Sequence, residues 1–215
     1  PLNAASINGS SVKIIKLWLD PTTKGPATNP AYLPSGATSF IAGVLTYGTD
    51  FTADVSPDVD SAGKILRITP LKPLDFSTGP AVNDSGPNIG KVLNVGYLVV
   101  LTDGLQAIDR SAMGADTLYA SFKSAPADCS SVTDSTLNAL CRATKAHLGI
   151  AQAATGTSPQ SVILTWSFST QSIDDVLAYT PYLSEGDEAK PEVALTFDDG
   201  PSAYTDEILA ELRKH

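Results

Sequence analysis

Residues 161–170 read SVILTWSFST, and in them Val162, Leu164, Trp166 and Phe168 alternate with Ile163, Thr165, Ser167 and Ser169. A period of two with mostly polar residues on one side predicts a half-buried β-strand with Trp166 and Phe168 in the core. The same signal recurs in SVKIIKLWLD (11–20), GKILRITPL (63–71), VGYLVVLTDG (95–104) and DTLYASFK (116–123). Fifteen prolines and sixteen glycines punctuate the chain, largely in the connections between these stretches. Short strands separated by turn residues predict a mainly β fold of the sandwich type.

One segment departs from this pattern. Over 133–148, Leu137, Leu140, Cys141, Thr144 and Leu148 recur at helical spacing, and Gly149 is placed as a C-terminal cap, so a single amphipathic helix is expected. Cys141 lies on its core side. The other cysteine, Cys129, stands twelve positions earlier, and no histidine near the pair has metal-ligand spacing, which disfavours zinc. Two readings stay open: a disulfide closing a short loop, or two buried free thiols.

Bulk composition narrows the partners. The 215 residues carry 23 acidic and 14 basic side chains, a net charge of −9, which repels phosphate backbones and anionic lipid surfaces. Nucleic acid is therefore excluded as an expected partner. The longest apolar runs, such as YLVVL (97–101), are strand-sized, so no membrane span is expected. The chain begins at Pro1 with neither an initiator methionine nor a signal peptide, and both ends read as cut.

After Tyr182 the composition changes. SEGDEAK (184–190) reads as a linker, VALTF (193–197) as a short buried-type strand, Asp199-Gly200-Pro201 as a turn, and TDEILAELRKH (205–215) as a helix capped by Thr205. Strand, turn and helix open an α/β unit. The expected organisation is a β domain over 1–183, a linker over 184–190 and the truncated start of a second domain over 191–215.

Each part resembles a different family. The stretches LTYGTDFTADVSP (45–57), ILRITPLKPLDF (65–76), GYLVVLTDGLQ (96–106) and SVILTWSFSTQSIDDVL (161–177) resemble the N-terminal region of bacterial extracellular, virulence-associated lipases. That resemblance covers residues 11 to 177 and implies an immunoglobulin-like β-sandwich and an extracellular or cell-surface location. It brings no catalytic residue, because the G-x-S-x-G nucleophile elbow is absent from these residues.

Thr196-Phe197-Asp198-Asp199-Gly200-Pro201 resembles the first motif of the polysaccharide deacetylases, metal-dependent carbohydrate esterases whose fold is barrel-like. Two adjacent carboxylates at a strand end point in different directions, so one can activate a metal-bound water while the other helps to hold the metal. The resemblance makes Asp198 the general base and Asp199 the ligand of a zinc-like divalent metal. It also calls for a later His-Ser/Thr-x-x-His, which is absent; the two histidines are His147 and His215. The site reads as incomplete, and no cofactor is expected in the chain as given.

Three further features carry paired readings. Asp54, Asp58 and Asp60 in DVSPDVDSAGK (54–64) read as a calcium loop or as a solvated hairpin loop lacking the twelfth-position glutamate. Trp18, Trp166 and Tyr97 read as a sugar-binding stripe or as core. His147 reads as a metal ligand or as the edge of an amphipathic helix. Together these observations imply a non-catalytic accessory domain of a secreted hydrolase joined to an incomplete deacetylase. The alternatives are the N-terminal part of a working deacetylase that continues past His215, and a module that binds polysaccharide or cell-surface glycan.

Overall fold

A computed structural model describes residues 1–56, 65–75 and 93–170. The chain divides into two units, Pro1–Asp175 and Val176–His215, and every described residue belongs to the first. The described part is mainly β, with antiparallel sheets and two helices. Its elements are β1 (Val12–Leu19), β2 (Ile41–Val44), β3 (Phe51–Val55), β4 (Leu66–Pro70), β5 (Asn94–Thr102), α1 (Thr117–Ser124), α2 (Ser135–Thr155) and β6 (Val162–Phe168).

Among the described residues, four strands form one sheet in the order β2-β1-β5-β6, and β3 pairs with β4 in a second. The register of β1 against β5 assigns the two faces. Val12, Ile14 and Trp18 stand opposite Leu101, Val99 and Val95, and this face packs against Phe51 and Ala53 of β3. Ile15 stands opposite Leu98, Lys13 opposite Val100, and this second face packs against Tyr119 of α1 and Leu148, Ile150 and Ala151 of α2. β5 is apolar along most of its length because both its faces are covered; six of its residues are hydrophobic and eight are buried.

Local signals explain the helix ends. The Asp116 carboxylate accepts from the Leu118 amide at 2.8 Å and caps α1. Asp134 does the same for α2 through the Leu137 amide at 2.9 Å. At the other end of α2, Gly156 takes φ +69° and donates to the Gln152 carbonyl, the left-handed cap that favours glycine.

Three sequence expectations are corrected here. Residues 117–123 belong to α1, with Asp116 as its cap, rather than to a strand, so the chain has two α-helices in the described region and not one. The buried pair Tyr119 and Phe122 is spaced for one helix face, whereas the alternation of Leu118, Ala120 and Phe122 also fits a strand. The helix assigned to 133–148 runs on through Gly149 to Thr155, with the cap at Gly156, and Leu140 is half exposed. Packing of Leu148, Ile150 and Ala151 on the sheet offsets the cost of about 1 kcal/mol for an internal glycine.

The third correction concerns β6. Its pairing with β5 slips between Leu101 and Thr102, because Leu101 faces Leu164 while Thr102 faces Val162, leaving Ile163 as an extra residue. The bulge turns Val162 toward the helices, away from the face of Leu164, Trp166 and Phe168. Those three side chains stay together as expected, but Trp166 is 38% exposed and Phe168 37% exposed, so they are not core residues. Strand order explains this: β6 lies at the sheet edge among the described residues, beyond the strip covered by β3.

Candidate functional site

The residues matched to deacetylase chemistry, Asp198 and Asp199, lie outside the described residues, as do Asp58, Asp60 and the linker at 184–190. Asp54, the described member of the calcium candidate, is engaged elsewhere. Arg67, opposite it across the β3–β4 pair, donates from Nε to Oδ1 at 2.9 Å and from Nη2 to Oδ2 at 2.7 Å. These hydrogen bonds hold the Asp54 carboxyl below its ordinary pKa. Among the described residues no three His, Cys, Asp or Glu side chains converge on a point that could hold a metal.

Cys129 and Cys141 are joined by a disulfide with Cα atoms 6.1 Å apart. Both are fully buried, against Phe122, Val132 and Leu137. Cys129 has φ +55°, and the Asn138 side chain donates to the Cys129 carbonyl at 2.8 Å and to the Val132 carbonyl at 3.0 Å. The bridge and this amide together fix the turn that leads into α2. Asn138 has no sequence signal as a clamp, since its partners are backbone atoms brought close only by the fold.

The aromatic residues separate into two environments. Tyr97 is 1% exposed and stacks on Phe168 with ring centroids 5.4 Å apart, so the pair joins the core to the open edge of β6. The Tyr97 hydroxyl donates to the Asp75 carbonyl at 3.0 Å, and the Thr170 hydroxyl donates to the same oxygen at 2.7 Å. Burial, and then the Asp75 charge, push the Tyr97 hydroxyl up to about 12, so it remains a neutral donor at ordinary pH. Asp75 also pairs with Lys16, whose Nζ lies 4.8 Å from the Trp18 ring centroid. Trp18 is thereby partly covered, and Trp166 presents the more exposed indole.

Beside this cluster is a cavity of about 310 Å³ lined in part by Lys16, Asp50, Lys72, Asp75 and Tyr97. Its cations and anions are mutually paired, since Lys72 donates to Asp50 at 2.7 Å. Carboxylate and ammonium groups lining a cavity can hydrogen-bond a polar ligand. The pairings of Lys16 on β1 and Tyr97 on β5 with Asp75 join residues 59 and 22 positions apart in sequence, which explains why no local pattern announces them.

His147 is on α2, inside the helix layer. Its Nδ1 lies 3.2 Å from the Thr165 hydroxyl, which is itself 2.9 Å from the Tyr119 hydroxyl. Burial pushes the imidazole pKa below its ordinary value. With the Thr165 hydroxyl as its hydrogen-bond partner, it has no ligand set around it among the described residues. Comparison of the chain with known protein families, with curated proteins and with solved structures gives no match.

Proposed function

We propose that the chain is a non-catalytic, immunoglobulin-like accessory domain of a secreted bacterial hydrolase, joined to the opening of a polysaccharide deacetylase domain that is incomplete in these 215 residues. The observation that carries this reading is the packing of the β3–β4 sheet on one face of the main sheet, in a unit stapled by the Cys129–Cys141 disulfide. A disulfide of this kind suits an oxidising, extracellular setting. The helix layer on the opposite face is an addition to a two-sheet sandwich. On the alternative reading the chain is the N-terminal part of a working deacetylase, with Asp198 as base and Asp199 on a zinc-like metal. Metal-dependent acetate release by the 215-residue chain would favour the deacetylase reading, and the accessory reading expects none.

A second reading is favoured by the exposure of Trp166 and Phe168 on one face of β6. Aromatic rings two residues apart on one face of a strand suit the apolar faces of a sugar polymer. On this reading the domain holds polysaccharide for a neighbouring enzyme. Retention of the chain on insoluble chitin or xylan, lowered several-fold in Trp166→Ala and Phe168→Ala, is the expected result. Equal retention of the variants and the parent chain removes the reading.

A further inference from the structure

α2 faces the sheet through an apolar surface with one polar break. Ile15, Leu17, Leu98, Val100 and Val162 meet Leu148, Ile150 and Ala151, and within this layer stand Tyr119, Thr165 and His147. Tyr119 is 8% exposed and Thr165 9% exposed. Among the described residues, the contact of His147 Nδ1 with Thr165 is the one side-chain hydrogen bond between α2 and the sheet.

The three groups can be ordered by counting their hydrogens. If the Tyr119 hydroxyl donates to Thr165 and the Thr165 hydroxyl donates to His147 Nδ1, both hydroxyl hydrogens are used and the imidazole is neutral, protonated at Nε2. If His147 donates instead, a buried hydroxyl hydrogen is left without an acceptor among the described residues: that of Tyr119 if Thr165 donates to it, or that of Thr165 if it accepts from both neighbours. An unmade hydrogen bond at a buried group is costly, so the first direction holds. It requires Nδ1 to carry a lone pair.

The surroundings offer nothing to a charged ring. β2 and β6 contain no ionisable side chain, β5 contains only Tyr97, on the opposite face, and α1 and α2 contain no carboxylate. The charged groups of the layer are cations: Lys13 on β1, in register with Val100 and Thr165, donates to the Gly9 carbonyl at 3.5 Å. Lys123 on α1 donates to the Gln160 and Val162 carbonyls, and Lys145 on α2 donates to the Lys123 and Ala125 carbonyls. Asp103, beyond the end of β5, acts on Lys123. Arg142 on α2 donates to Asn138, away from the histidine.

We propose that His147 is an acid-released latch, holding α2 on β6 while its ring is neutral and freeing the helix layer when Nδ1 gains a proton. A proton there turns an acceptor into a donor, displaces the Thr165 hydrogen and leaves a charge against an apolar face. The ring is only partly buried, so it can swing toward water once charged. The folded-state pKa lies below the unfolded value of 6.5 because burial disfavours the cation. The unfolded state therefore binds the proton first as pH falls. The stability of the layer is full above pH 6.5 and is lost as pH falls through the lower, folded value. The sheet has no such group, and the disulfide holds the start of α2, so release affects the helix surface on β6 rather than the whole domain.

The test uses the full chain carrying His215→Ala, which leaves His147 as its one imidazole. Followed by NMR, that ring is expected to titrate below 6.5, with amides of Leu148 and Ala151 losing hydrogen-exchange protection between pH 7.5 and 5.5 after correction for intrinsic rates. Amides of Leu98 and Val100 keep theirs. His147→Asn in the same chain is expected to remove the pH dependence of α2 protection. Titration at or above 6.5, equal loss of protection in β5, or unchanged protection in α2 overturns the proposal. These readings do not require the His147→Asn variant to fold.

Discussion

Leu98→Ala is expected to cost about 2–5 kcal/mol of unfolding free energy, the range for emptying a well-packed leucine site. Leu98 is 0% exposed, sits on the central strand β5 and belongs to the cluster that joins the sheet to α2. Neighbouring strands on both sides fix the backbone, so the surroundings can collapse only partly into the space left. Trp166→Ala, although it removes a larger side chain, is expected to cost about 1 kcal/mol, because the edge strand leaves the ring open. Denaturant unfolding of the two variants against the parent chain measures the contrast. A Trp166→Ala loss as large as that of Leu98→Ala would mean that the outer face of β6 is covered.

Removing the disulfide is expected to cost about 3 kcal/mol, the value for closing a loop of this length under the chain-entropy model. Cys129 and Cys141 are twelve residues apart and completely buried, so the double variant Cys129→Ala/Cys141→Ala also loosens the packing of Phe122 and Leu137. Unfolding of the variant and of the oxidised parent, both in the absence of reductant, gives the difference. A loss below about 1 kcal/mol would show that the Asn138 clamp and the apolar contacts hold the turn without the bridge.

The parts of the fold legible in the sequence were those in which one physical signal dominates. β5 announces itself because a strand covered on both faces must be apolar throughout, and β1 because its two faces are both packed. α1 failed for a specific reason: eight residues are too few to separate a period of two from a period of 3.6. The decisive clue was the Asp116 cap. Gly149 looked like a stop because glycine disfavours helices, yet tertiary packing carries α2 past it. The bulge at Ile163 belongs to the pairing of two strands 60 residues apart, and nothing within SVILTWSFST encodes it.

The site was legible in a different proportion. Cys129 and Cys141 were singled out by spacing, but the choice between thiols and a bridge depended on the Cα separation that the turn creates. The latch around His147 joins residues 119, 147 and 165 on three elements, so it exists only in the fold. The carboxylates Asp198 and Asp199 rest on a six-residue motif whose chemistry needs partners from elsewhere in a chain. A hydrolytic metal site commonly uses three protein ligands and an open water position, and the resemblance assigns one, Asp199.

On the proposed function, these 215 residues form an accessory unit without deacetylase activity of their own. This is tested most directly by acetate release from acetylated chitin oligomers and xylan, with added zinc or cobalt, using the parent chain, Asp198→Asn and Asp199→Asn. The same background release is expected from all three, with no response to metal. Metal-dependent turnover by the parent chain, abolished in both variants, would contradict it and establish the enzyme reading instead.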